Sequence, residues 1–237
     1  MTRAFALLAL LPLPAEAACR QALALGLDVS GSVDPQEYRL QLDGLATALN
    51  SERVQDVLFA QSAAPIKITV YEWSGPSDQT TVLPWKTLGT PDDLVAASQI
   101  LRSHQRGVAA PTTAIGSALL KGFSLLEQQP NCWKRTLDLS GDGPANTGPR
   151  PQDISHARTP TGVVVNGLVI GAGNAGGDDH RARDIKELSS YYSTYVIRGA
   201  GSFVEVALGF DAYAEAMERK LLRELASIAI GEAKQTP

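Results

Sequence analysis

The apolar positions fall in short blocks whose period changes along the chain. Ala22 to Val29 is an apolar run of strand length, the pattern of a strand buried on both faces. Tyr38, Leu42, Leu45 and Leu49 then recur at helical spacing. Asp34 as N-cap, Pro35 at the first helical position and Glu37 three residues after the cap mark where that helix starts. Ile66–Trp73 and Thr80–Leu83 read as a strand pair around the turn-rich Ser74-Gly75-Pro76-Ser77-Asp78. Residues 91–105 and 114–127 read as helices, the second with Ile115, Leu119, Phe123 and Leu126 on one stripe. Short strands follow at 136–139 and 163–170, then a helix at 181–190 and a last strand at 202–207. A closing helix carries Phe210, Met217, Leu221, Leu225 and Ile228. Strands alternating with helices predict an α/β fold: a doubly wound, mostly parallel sheet with helices on both faces.

The first residues carry a different signal. Met1-Thr2-Arg3 is a short cationic start, Ala4–Leu13 is almost purely apolar, and Ala15-Glu16-Ala17 offers the small residues of a signal-peptidase site. Pro12 and Pro14 argue against a buried first helix. A lipoprotein signal at Cys19 is a poor fit, because Glu16 stands where an aliphatic residue is wanted. The apolar run is about half of the roughly 20 residues needed to span a bilayer, and no later segment comes closer. The expectation is a cleaved signal peptide at 1–17, a single domain at 18–237 without a transmembrane segment, and a periplasmic or secreted protein. Neither a repeat nor a linker divides residues 18–237.

Composition changes this picture little. The 237 residues carry 21 Lys+Arg against 25 Asp+Glu, and losing Arg3 with Glu16 leaves the net charge at −4. That balance, without a Lys/Arg run, has no electrostatic footprint for nucleic acid. With 44% hydrophobic residues the chain can build a core that needs no metal staple.

In parallel sheets of this kind ligands bind outside the carboxyl ends of the strands. There the first strand delivers Asp28-Val29-Ser30-Gly31-Ser32 and the fourth delivers Ser140-Gly141-Asp142-Gly143. Between them Pro111-Thr112-Thr113-Ala114-Ile115-Gly116 opens a helix. Asp28, Ser30 and Ser32 alternate, so their side chains can converge as the strand ends, and Gly31 lets the backbone turn. Two carboxylates and several hydroxyls, with no imidazole or thiolate, suit a hard cation such as Mg²⁺ more than zinc or copper.

These residues resemble the metal-ion-dependent adhesion site (MIDAS) of von Willebrand factor A-type domains. The likeness extends from about Leu23 to Ala226. Asp28–Val33, Glu72-Trp73-Ser74-Gly75, Ser140–Asn146 and Lys220–Glu224 are more narrowly similar to an uncharacterised bacterial branch of exported A-type domains. The resemblance implies a Rossmann-like sheet and a metal ringed by Asp28, Ser30, Ser32, Thr113 and Asp142. Thr113 is preferred over Thr112 because Thr113–Leu119 matches the family's helix start. Gly31, Thr112, Gly143 and Asn146 would stand around these ligands, and Ile115 replaces a hydroxyl often present there. The implied function is protein binding without covalent chemistry, in which Mg²⁺ (or Mn²⁺ or Ca²⁺) accepts a carboxylate from a partner protein.

Other signals point elsewhere. Gly171-Ala172-Gly173-Asn174-Ala175-Gly176 matches a dinucleotide-binding pattern, which would make the same edge an enzyme site for a nucleotide or phosphate. The pattern belongs in the first strand-to-helix turn, however, and Asp178 and Asp179 place negative charge where a pyrophosphate would sit. His104, His156 and His180 show no ligand spacing and are expected to be solvated. Cys19 lies nine residues before Asp28 and Cys132 ten before Asp142. If strands one and four are neighbours, both cysteines fall at the opposite sheet edge, close enough for a Cys19–Cys132 disulfide.

Overall fold

Leu23, Leu25 and Leu27 point to one face of the first strand and Ala22 and Ala24 to the other, and all five are buried. That strand, β1 (Cys19–Asp28), lies at the centre of a computed structural model that describes residues 19–171 and 178–232. The expected signal peptide at 1–17 and residues 172–176 of the glycine-rich stretch lie outside the described residues.

The chain continues through α1 (Pro35–Leu49), α2 (Glu52–Phe59), β2 (Ile66–Trp73), β3 (Gln79–Leu88), α3 (Pro91–Ser103), α4 (Ile115–Glu127) and β4 (Cys132–Gly141). It closes with β5 (Val163–Ile170), α5 (Asp178–Tyr191), β6 (Val204–Ala207) and α6 (Tyr213–Glu232). The sheet order is β3-β2-β1-β4-β5-β6, parallel except for the antiparallel edge strand β3. Residues of α1, α2, α3 and α6 pack on the Leu23/Leu25/Leu27 face, and residues of α4 and α5 on the other. The doubly wound α/β architecture is therefore present, and its winding reverses between β1 and β4.

The boundaries differ where buried polar groups hide a strand from the hydrophobic pattern. β1 begins at Cys19 because Arg20 and Gln21 are buried yet hydrogen-bonded. Arg20 donates to the carbonyls of Val57 and Leu58 (2.6 and 2.8 Å), and Gln21 donates to the Thr136 hydroxyl (2.9 Å). α2 carries only two buried residues, Val54 and Leu58, too few to announce it. Its start is set by Ser51, whose Oγ accepts from the Val54 amide. The capping box at Asp34 forms as the sequence predicts, with the Asp34 carboxylate accepting from Gln36 and Glu37 amides.

Inside the α6 face lies a charged cluster that periodicity does not reveal. Lys220 Nζ is fully buried, 2.8 Å from Asp138 Oδ1 and 2.6 Å from Glu224 Oε1, while Asn166 donates to the same Glu224 oxygen. Burial pushes the Asp138 carboxyl up to about 7, opposed by the Lys220 charge and reinforced by Glu224. The two acids in turn raise Lys220 against its own burial.

At the amino edge, Cys19 pairs with Cys132 in register, at a Cα separation of 4.5 Å, and the two are joined by a disulfide. It closes a loop with a sequence separation of 113. Replacing both cysteines with serine should lower the unfolding free energy by up to about 4–5 kcal/mol, the chain-entropy limit for a loop of that size. Urea denaturation checks this, and an unchanged midpoint would refute it. The raised Asp138 carboxyl sets a second expectation. Between the ordinary aspartate value near 4 and about 7, the folded chain holds a proton that the unfolded chain releases, so stability falls as pH rises through that window. Asp138→Asn should flatten that slope in urea midpoints taken at pH 5 and pH 8.

Candidate metal centre

Because β1 and β4 are parallel neighbours, Leu27 pairs with Ser140, and the residues that follow each strand emerge side by side. Asp28 is the last residue of β1 and is wholly buried; its carbonyl accepts from the Gln41 side chain at 2.9 Å. Its Oδ1 accepts from the Ser30 amide at 2.8 Å, turning the loop back toward the strand end. Ser30 and Ser32 then bring their hydroxyls to 3.2 Å, and Ser32 Oγ donates to Asp142 Oδ1 at 2.8 Å. Asp28, Ser30, Ser32 and Asp142 thus form one continuous polar run.

Thr113 reaches this edge by a different route. Its amide donates to Asn146 Oδ1 at 2.8 Å, and the Asn146 amide returns a bond to the Thr113 carbonyl at 3.0 Å. Asn146 therefore fastens Thr113 to the loop that carries Asp142. The next residue, Ala114, donates to the Ser74 carbonyl, and Ser74 Oγ accepts from Ala110 at 3.1 Å. The Glu72–Gly75 motif consequently holds the threonine segment in place. Thr112 lies beside Gly75, whose added Cβ would stand 3.4 Å from the Thr112 hydroxyl. Gly143 is open, with nothing within 4 Å of an added Cβ.

Two glycines are required by closeness. Gly31 donates to the Pro111 carbonyl, and an added Cβ would lie 2.9 Å from Pro111 Cα. The chain turns here as expected, but φ is not positive, so it is the close approach to Pro111 that requires glycine. At Gly141 a Cβ would strike the Tyr192 hydroxyl and come within 3.1 Å of Asp28 Oδ2.

Sequence reasoning missed several of these supports. Tyr192 sits in a π-helical turn, Gln41 on an inner helix face, and Arg106 in a polar segment without period. His104, expected to be solvated, is partly buried at the end of α3, with Nε2 3.4 Å from Glu72 Oε1. Beside Asp142 opens a hollow of about 430 Å³, walled by Pro144, Ile170, Ile185, Leu188 and Tyr191 together with the acids Asp184 and Glu187.

Solved structures share this arrangement of elements. Proximal thread matrix protein 1 from the mussel byssus matches with a TM-score of 0.59 and 18% identity, over 89% of this chain and 49% of that one. A von Willebrand factor type A structure from Catenulispora acidiphila gives 0.56 and 16%, over 87% and 43%. The pilus adhesin SpaC from Lactobacillus rhamnosus GG gives 0.56 and 13%, over 90% and 31%. This chain spans about half, or less, of the length of each. A family described as "Protein of unknown function (DUF1194)" matches residues 18–229. The chain belongs to that family, and its fold is that of a von Willebrand factor A-type domain. None of the curated proteins matches it. A further structure of the mussel protein is described as having a zinc-occupied MIDAS motif, at a TM-score of 0.54.

Electrostatics decide whether the residues at this edge of the fold fit a cation. Burial pushes the Asp28 carboxyl up to about 8, and the neighbouring Asp142 charge pushes the same way, against the bonds from Ser30. Burial also raises Asp142, opposed by the bond from Ser32. Asp28 Oδ2 is buried without a hydrogen-bond partner, as are the Tyr192 hydroxyl and Trp73 Nε1. An orphaned carboxylate oxygen facing a second carboxylate is costly, and a divalent cation would satisfy both. The donors are hydroxyls and two carboxylates. These are oxygen donors alone, so the set suits a hard cation; among the described residues no group of three or more His, Cys, Asp or Glu stands together. Gly141→Ala tests the packing beneath the site. The added methyl should destabilise the domain by about 1–3 kcal/mol, since the buried Tyr192 ring cannot retreat, and an unaltered thermal midpoint would count against this geometry.

Proposed function

We propose that this domain is an exported protein-binding module that holds Mg²⁺ or a similar divalent cation and, through it, a carboxylate of a partner protein. The observation that carries the reading is the partnerless, buried Asp28 Oδ2 at the end of a hydrogen-bonded run reaching Asp142. Ser30, Ser32 and Thr113 would offer neutral oxygens, and Asp28 and Asp142 would balance the charge directly or through water. When bound, the cation supplies the positive charge that an acidic partner group needs. The chain's own task is positional: Gln41 and the Ser30 amide fix Asp28, and Asn146 fixes Thr113. With mainly neutral donors the cation keeps enough charge to attract a further anion. The hollow beside Asp142, with Pro144, Ile170, Ile185 and Leu188 among its walls, gives that partner a surface to pack on.

Nothing in this reading calls for bond making, so we assign no catalytic residue. Export is supported by the signal-like residues 1–17 and by the disulfide, which suits an oxidising compartment. Among the described residues no helix is long and apolar enough to cross a membrane.

Titration calorimetry with Mg²⁺ and Mn²⁺ tests the metal. Wild type should give saturable heat, Asp28→Ala should give none, and Ser32→Ala, at an exposed position, should weaken binding about tenfold or more. A wild type that takes up neither ion would overturn the reading. Pull-down from a periplasmic fraction should retain a partner in Mg²⁺ and release it in EDTA.

A further inference from the structure

Between α3 and α4 the chain crosses the metal edge as a strap from His104 to Pro111. It is pinned at four points. Arg39 donates to the His104 carbonyl at 2.7 Å, Ala110 donates to Ser74 Oγ, and the Pro111 carbonyl accepts from Gly31. The fourth point is Arg106. Its Nη1 donates to the Val33 carbonyl at 2.7 Å, and its Nη2 donates to the carbonyls of Val29 and Ser30 at 2.6 and 3.0 Å. The guanidinium also lies 5.7 Å from the centroid of the Tyr38 ring, whose hydroxyl donates to Glu72. One planar cation thus gathers three backbone oxygens of the five-residue turn Val29–Val33, which contains Ser30 and Ser32, two of the three candidate hydroxyl ligands.

We propose that Arg106 is the positioning residue of this loop and that it makes the site select Mg²⁺ or Mn²⁺ against Ca²⁺. The inference rests on the metal-binding reading above. Ca²⁺ takes six to eight oxygens at relaxed distances, and backbone carbonyls are common among them. Mg²⁺ needs a compact, near-octahedral set and keeps several waters. The carbonyls of Val29, Ser30 and Val33 are committed to the guanidinium, so three of the loop's five backbone oxygens are withdrawn from a cation. Three carbonyls turned one way also fix the peptide planes between Val29 and Val33, and hence the directions in which Ser30 and Ser32 leave the backbone. A lysine would keep the charge but lack the fork that engages three acceptors at once.

Calorimetric titration of wild type, Arg106→Lys and Arg106→Gln with Mg²⁺ and with Ca²⁺, beside melting curves in EDTA, tests this. Wild type should bind Mg²⁺ more tightly than Ca²⁺. Both variants should lose about tenfold or more in Mg²⁺ affinity and much less in Ca²⁺ affinity, so that the ratio collapses. A purely structural arginine would lower the EDTA melting temperature and weaken both ions alike, leaving the ratio unchanged; that result overturns the proposal. Wild type that binds Ca²⁺ as tightly as Mg²⁺ overturns it without recourse to any variant. Wild type that binds neither ion removes the metal reading itself, which is a separate failure.

Discussion

The parallel pairing of β1 with β4 places both ends of the molecule's chemistry. Register runs from Cys19 opposite Cys132 to Leu27 opposite Ser140, so one edge receives a disulfide and the other receives Asp28 and Asp142. The winding reverses at this pair, which leaves a crevice where the two loops emerge. A one-residue slip would turn Leu23, Leu25 and Leu27 from one helical layer to the other, so burial on both faces enforces the register. The site geometry is therefore secured by the core.

Two pairs of acids lie on and around β4, Asp138 with Glu224 and Asp28 with Asp142, and the fold treats them differently. Asp138 and Glu224 enclose Lys220, a cation supplied from α6. Asp28 and Asp142 have no such lysine or arginine within an ion pair among the described residues. The inner group closes its own charge balance, whereas the outer group stands at the sheet edge beside an open hollow. Arg106 bonds to the Val29–Val33 loop beside the outer group, yet it engages carbonyls.

Much of this was legible in the residues. Alternation at Asp28, Ser30 and Ser32, the Ser140–Gly143 turn and the strand–helix order indicated the sheet and which residues share its edge. The cysteine spacing then followed from the strand order. What escaped was everything carried by polar groups in unexpected burial. Arg20 and Gln21 concealed the start of β1, Lys220 sat on an otherwise apolar stripe, and His104 turned toward Glu72. Arg106 left no trace because its partners are backbone carbonyls, which no side-chain pattern encodes. Gly31 and Gly141 could be noticed but not explained, since the groups that crowd them, Pro111 and Tyr192, come from distant segments.

The central claim is that the edge of β1 and β4 holds a divalent cation among hydroxyls and carboxylates. An anomalous difference map from crystals soaked in Mn²⁺ tests it most directly. The account predicts one peak in contact with the hydroxyls of Ser30 and Ser32 and close to Asp28, Thr113 and Asp142. A map with no peak there, or with manganese only at exposed surface carboxylates, would contradict it.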